Sequence, residues 1–119
     1  MATKRTATPL AAHERRYRDL ARRFADIGYI ASGSVAPRFN RCGKANCACH
    51  ADPPSLHGPY WQWTAKINGK TVNRRLTQRQ AELYSEWINN DRQARALLAQ
   101  MRDIAATATQ LILEEDARG

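Results

Sequence analysis

Cys42-Gly43-Lys44-Ala45-Asn46-Cys47-Ala48-Cys49-His50-Ala51-Asp52-Pro53-Pro54-Ser55-Leu56-His57 is the stretch that decides how this chain folds. It holds all three cysteines of the protein within eight residues, and seven residues separate the last of them from His57. Zinc takes four soft or borderline donors in a tetrahedron, and cysteine thiolates and histidine imidazoles supply them. Gly43 lets the backbone turn tightly behind the first cysteine. Cys47 and Cys49 can face one ion if the chain turns between them, and the small Ala48 leaves room for that. The fourth donor is His50 or His57. Side chains of neighbouring residues diverge, so His50 is poorly placed beside Cys49, and the stiff Pro53-Pro54 pair can bring His57 back. The expected site is therefore Cys42, Cys47, Cys49 and His57 around Zn2+. Four protein donors leave no position for water, so the ion would be structural. The competing reading is three buried or reactive thiols with no metal.

Working outward, the next run is His57-Gly58-Pro59-Tyr60-Trp61-Gln62-Trp63-Thr64-Ala65-Lys66-Ile67, then Asn68-Gly69, then Lys70-Thr71-Val72-Asn73-Arg74-Arg75-Leu76. Asn-Gly between two β-rich runs signals a two-stranded β-hairpin, because a type I′ turn needs positive φ at both central residues. A two-residue loop sets Ile67 opposite Lys70, Ala65 opposite Val72, Trp63 opposite Arg74 and Trp61 opposite Leu76. One face is then Trp61, Trp63, Ala65, Ile67, Val72 and Leu76, with Arg74 over Trp63. It would be covered by the N-terminal helix, the metal loop and the helix that follows. The other face is Gln62, Thr64, Lys66, Thr71, Asn73 and Arg75, a polar and cationic ribbon of a width that enters a DNA major groove. Read without a partner, the same face is a set of soluble β-formers.

Beyond Leu76, Thr77 and Gln80 have capping-box spacing. Apolar positions then recur at Trp87, Ala94, Leu98, Met101, Ala105, Ala108 and Ile112, with Leu83, Leu97, Ile104 and Leu111 as a second row. A helix over 77–115 either breaks near Asn89-Asn90-Asp91 and folds back, or projects and pairs with another chain as a coiled coil; we favour the homodimer. Upstream, Thr8 can cap a helix whose first turn holds Pro9. Tyr17, Leu20, Ala21 and Phe24 form its apolar stripe, and Gly28 would stop it. Arg15, Arg16, Arg18, Arg22 and Arg23 occupy much of the rest, either as a solvated face or as phosphate contacts. Residues 29–41 lose the helical period and read as an extended connector.

The chain has 119 residues and 43% hydrophobic content, much of it alanine, so one modest domain over 10–119 with a thin core is expected, stabilised by the metal. Residues 1–9 read as a flexible basic arm. No apolar run reaches membrane-spanning length, and three cysteines do not suit a secreted disulfide framework, so a cytoplasmic protein is expected. The net charge is +8 and uneven. Lys and Arg number seven against three acids over 1–28, three against one over 29–58, four against none over 59–76, and five against seven over 77–119. A basic body suggests a polyanionic partner.

Arg41-Cys42-Gly43-Lys44, Cys47-Ala48-Cys49, His57-Gly58-Pro59-Tyr60-Trp61, Gly69-Lys70-Thr71 and Trp87-Ile88-Asn89-Asn90 together resemble a family of small uncharacterised bacterial proteins, the DUF6788 type. The resemblance covers roughly residues 20 to 105, and Ala45 stands where the family often has proline. It implies a hairpin followed by a long helix, and a role beside mobile elements, hence DNA.

The fold expected is α+β: an N-terminal helix, a zinc-binding loop, a two-stranded hairpin and a long C-terminal helix. The function expected is that of a zinc-stabilised DNA-binding accessory or regulatory protein with double-stranded DNA, and a transposase or recombinase, as partners. Arg38, Arg41, Lys44, Gln62, Lys66, Asn73 and Arg75 would make the DNA contacts. The alternative is a protein-interaction adaptor working through the C-terminal helix. An enzyme is not expected: no paired carboxylates, activated nucleophile or phosphate-cradling loop is apparent, and only a site with His50 bound and His57 free as a base would revive one.

Overall fold

The computed structural model describes residues 9–119, so the basic arm and the Thr8 cap lie outside the described residues, Pro9 excepted. In chain order the elements are helix α1 (Pro9–Ala25), strand β1 (Ser34–Asn40), one turn of 3₁₀ helix (Ala48–His50), strands β2 (His57–Ile67) and β3 (Lys70–Leu76), and helix α2 (Gln78–Arg118). They fall into two compact units, one comprising Tyr29–Asp91 and the other comprising the chain up to Gly28 with Arg92–Gly119.

In the Tyr29–Asp91 unit, β2 and β3 pair antiparallel with Ile67 opposite Lys70, Ala65 opposite Val72, Trp63 opposite Arg74 and Trp61 opposite Leu76. The turn takes φ of 51° at Asn68 and 79° at Gly69, the left-handed pair that the Asn-Gly sequence can adopt at little cost. The expected two-stranded hairpin is, however, a three-stranded antiparallel sheet in the order β1-β2-β3. Residues 34–40 of the supposed connector form β1, with Ser34 opposite Thr64, Ala36 opposite Gln62 and Arg38 opposite Tyr60. Pro37 lacks the N–H that a central strand would need, and an edge strand bonded on one side tolerates it.

The buried face carries Trp63, Ala65 and Leu76, which meet Ala81 and Ile88 of α2, with Ala31, Val35, Trp61, Val72 and Tyr84 packed around them. Within this unit the helix that covers the sheet, as expected, is α2. Ile67, next to the turn, stays 45% exposed. Tyr84 lies 5.1 Å from Trp63 and 5.1 Å from Trp87, and Tyr29 meets Trp87 edge-on at 6.4 Å. The Trp63 indole N–H donates to the Ser32 carbonyl at 2.9 Å. Arg74 sits 5.2 Å from the Trp63 ring centroid and donates to the Tyr84 hydroxyl at 2.6 Å, covering the tryptophan from the solvent side.

Helix α2 begins on a complete capping box. Gln80 N–H donates to Thr77 Oγ1 at 3.1 Å, and Thr77 N–H donates to Gln80 Oε1 at 2.9 Å. It then runs unbroken to Arg118, so no break occurs at Asn89-Asn90-Asp91. Asn90 instead donates its side-chain amide to the Tyr29 carbonyl at 2.8 Å.

In the other unit, α1 and residues 92–118 of α2 lie antiparallel. Pro9 and Leu10 share a groove with Leu111, Glu114 and Arg118, while Arg23 and Ile27 share one with Gln93, Leu97 and Gln100. Leu20, Ala94 and Leu97 are buried here. The row Leu97, Ile104 and Leu111 is sheltered; of the row expected first, Ala94 is buried and Met101, Ala105 and Ala108 are half-buried, while Leu98 and Ile112 remain exposed. Arg18 pairs with Glu14 and Arg22 with Asp19 on the solvent side of α1, exposed pairs that add little stability.

Trp63→Ala removes the largest buried side chain of the sheet core and leaves the Ser32 carbonyl without its donor. It is expected to destabilise by about 3–5 kcal/mol, read from denaturant unfolding followed by far-UV circular dichroism. A loss under about 1 kcal/mol would contradict this account of the core.

Candidate metal centre

The loop between β1 and β2 carries the three cysteines, and the strand pairing determines where its ends meet. Asn40, two residues before Cys42, pairs with His57, the first residue of β2. A register shift between Arg38 and Asn40 swings the chain out of the ladder towards the loop. Gly58 permits the close approach: at φ +132°, a Cβ there would stand 2.6 Å from the Arg38 carbonyl.

Within the loop, Cys47 N–H donates to the Lys44 carbonyl at 3.1 Å and His50 N–H to the Cys47 carbonyl at 3.0 Å. The Ala48 carbonyl accepts from both Ala51 and Ser55 at 3.0 Å. These turns put Cys47 and Cys49 on one side despite their spacing of two. The donor atoms of Cys42, Cys47, Cys49 and His57 all lie within 4.8 Å of one another, close enough to hold a metal ion. The Cys42 and Cys49 sulfurs are 3.6 Å apart, and Cys47 Sγ is 3.3 Å from His57 Nε2. The backbone N–H of Cys42 donates to Cys49 Sγ at 3.3 Å, an arrangement that favours a thiolate there.

His57 is thus the histidine of the cluster. His50 turns to the same loop in another capacity, its Nε2–H donating to the Cys42 carbonyl at 2.7 Å, which braces the peptide that carries the first cysteine. Cys49 is fully buried and burial pushes its thiol up, while the Cys49 N–H, followed by contacts with Cys49, Cys42 and His57, pulls the Cys47 thiol down to about 6. Cys47 is thus disposed to the thiolate form that a metal ligand needs, whereas Cys49 would give up its proton to an incoming cation.

The open face of the sheet holds most of the residues expected to meet DNA. Arg38 is opposite Tyr60, Gln62 opposite Arg75, Thr64 opposite Asn73 and Lys66 opposite Thr71, so all of these share one face. Arg38, Lys66, Asn73 and Arg75 are exposed and Gln62 is half-buried. Arg41 and Lys44 are exposed at the metal loop. Sequence reasoning misses Tyr60, yet the Arg75 guanidinium stacks 3.8 Å from its ring centroid. The diagonal relation of residues 60 and 75 across a ladder of known register carries that signal. Thr64 falls on this face as expected but outside the expected contacts, and it belongs to a polar cluster there. Gln62 Nε2 donates to Asn73 Oδ1 at 2.9 Å and to Thr64 Oγ1 at 3.3 Å, and the Thr64 hydroxyl donates to Asn73 Oδ1 at 2.8 Å. Among the described residues no helix is long and apolar enough to cross a membrane.

No curated protein and no solved structure matches the chain. The sequence model of a family described as Domain of unknown function (DUF6788) matches residues 10–85. The match takes in α1, the metal loop, the whole sheet and the start of α2, beginning and ending earlier than the span of the signature motifs. Over that share of its length, this protein is a member of the DUF6788 family.

Proposed function

We propose that this protein binds duplex DNA through the open face of its sheet, with a structural zinc ion in the β1–β2 loop. The observation that carries the reading is the Arg75 guanidinium stacked on Tyr60, with Arg38 opposite Tyr60 in the neighbouring strand, on the open face of the sheet. Guanidinium groups pair with phosphate oxygens in forked geometry, and stacking on a tyrosine holds one of them in place without consuming its N–H donors. Lys66, Arg41 and Lys44 extend the charge along the sheet and onto the loop. Gln62 and Asn73 lie between, where a sheet laid in the major groove meets base edges.

Zinc is the ion we assign on the chemistry of the donors. With Zn–S near 2.3 Å and Zn–N near 2.0 Å, a tetrahedral site needs sulfurs about 3.8 Å apart and sulfur to nitrogen about 3.5 Å apart. The separations of 3.6 Å and 3.3 Å lie close to these. The ion would tie the outgoing end of β1 to the incoming end of β2, and Arg38 and Tyr60 to one another with them. The role is accessory or regulatory, and a transposase or recombinase is the enzyme such a protein would assist.

The exposed Leu98, Ile112 and Leu113 favour a second function for α2, pairing with the same helix of another copy or with an adaptor's client. Sedimentation equilibrium at about 50 micromolar would return a dimer, and a strict monomer would remove the self-pairing.

Two further outcomes test the main reading. Protein purified without chelator should carry one zinc per chain by elemental analysis, and Cys49→Ser should lower both the zinc content and the melting temperature; a content far below one sinks the metal assignment. Fluorescence anisotropy on a duplex of about 24 base pairs should show affinity falling steeply with salt, with a log–log slope that shrinks by about one for each of Arg38→Ala and Arg75→Ala. No binding at low salt, or unchanged slopes, would overturn the DNA reading.

A further inference from the structure

Resting on the self-pairing of α2 put forward above, we propose that two copies join antiparallel about Leu98, the Ile112 and Leu113 of each entering the groove between β3 and α2 of the other. Leu98 is the middle residue of α2, with twenty residues on either side. It is exposed, as are Ile112 and Leu113, which follow it by fourteen and fifteen residues. Fourteen and fifteen residues before it stand Tyr84 and Leu83, which line a groove of about 310 Å³ with Arg74, Leu76, Gln80 and Trp87. Fourteen residues make four turns at the 3.5-residue period of a supercoiled pair, so Tyr84, Leu98 and Ile112 fall in one row of the helix. In an antiparallel homodimer the residue on the twofold axis meets its own copy, and residues equally far to either side of it are brought level. With Leu98 on the axis, Ile112 of one copy comes level with Tyr84 of the other, and Leu113 with Leu83. Two exposed apolar side chains thus arrive at a largely apolar groove, and the symmetry makes the contact twice. Asp91 and Ala105, seven residues to either side of Leu98, also come level, and the small alanine leaves room for the carboxylate.

Charge selects this orientation over the parallel one. Glu114, Glu115 and Asp116 follow directly on Ile112 and Leu113, near the C-terminal end of α2, where the helix dipole favours cations rather than acids. Nothing in the helix itself recommends them there. The hairpin that supplies the β3 side of the groove has the opposite character, with four Lys or Arg and no acid over residues 59–76, and Arg79 stands beside Gln80 at the start of α2. An antiparallel pair sets each acidic end against the basic hairpin of the other copy. A parallel pair in register would set acids against acids and hairpin against hairpin, and like charges brought together cost affinity.

Photo-cross-linking of the full chain decides the matter. A benzophenone side chain placed at the exposed position 112, in an equal mixture of light and nitrogen-15-labelled protein, yields mixed-isotope peptides only where the link joins two copies. The expected link runs from position 112 to residues 76–87 of the other copy. A link to residues 105–118 of the other copy would establish parallel pairing and overturn the inference while leaving self-pairing intact. A dimer by sedimentation that gives no link between copies would also overturn it, since the pairing would then lie elsewhere. A strict monomer would remove both the inference and the self-pairing beneath it. The exchange of Glu115→Gln together with Asp116→Asn, both on exposed residues, gives a second readout that does not depend on cross-linking. It should raise the dimer Kd about threefold or more at low salt, and the effect should fade as salt is added. Parallel pairing demands the opposite sign, so an unchanged or lower Kd would overturn the inference.

Discussion

The antiparallel pairing of β1 with β2 is the constraint on which the rest depends. It brings Asn40 and His57 side by side, and these residues are the two ends of the cysteine loop. Any slip of this ladder would move His57 away from Cys47, and because side chains alternate across a strand, a slip of one residue would also transfer Arg38 from the open face to the covered one. The same ladder that closes the four-donor cluster therefore positions the cationic face. The small buried core, built on Trp63, Ala65, Leu76, Ala81 and Ile88, gives the sheet one covered side. The loop and its donors supply a second anchor at the end of the sheet that lies away from the Asn68-Gly69 turn.

The division of labour between the faces follows from residue type. The covered face takes aromatic and aliphatic residues that pack on α2, where Tyr84 and Ile88 reach the sheet. The open face takes threonine, amides and arginine, none of which gains from burial. Its order comes from hydrogen bonds and stacking within the face: the Gln62, Thr64 and Asn73 triangle and the Arg75–Tyr60 stack. Such ordering reduces the side-chain entropy that a partner would have to remove on binding.

Much of this is legible in the residues. Asn68-Gly69 sets the β2–β3 register pair by pair because one turn type suits that dipeptide best, and Thr77 with Gln80 marks the start of α2 because capping chemistry is local. The cluster of Cys42, Cys47, Cys49 and His57 is legible for the same reason, since its donors lie close in sequence. What escapes depends on distant contacts. The alternation of Val35, Pro37 and Phe39 with Ala36 and Arg38 is present, but Pro37 interrupts it, and only pairing with β2 makes an edge strand of it. Asn89-Asn90-Asp91 looks like a break until Tyr29 offers Asn90 a carbonyl. The apolar stripe of α2 is legible through Ala94, Met101, Ala105 and Ala108, but that Leu97, Ile104 and Leu111 are sheltered while Leu98 and Ile112 are exposed is left to tertiary packing, because the two rows are nearly equal.

Arg74 and Arg75 are adjacent, identical in chemistry and directed to opposite faces. Arg74 is committed to Trp63 and the Tyr84 hydroxyl, so its cation belongs to the folding of the protein; Arg75 rests on Tyr60 at the open surface. Selection would therefore act on the two codons for unrelated reasons, one through abundance of folded protein and the other through whatever meets the surface. A count of basic residues along β3 treats both alike and overstates the charge this strand can lend to an encounter.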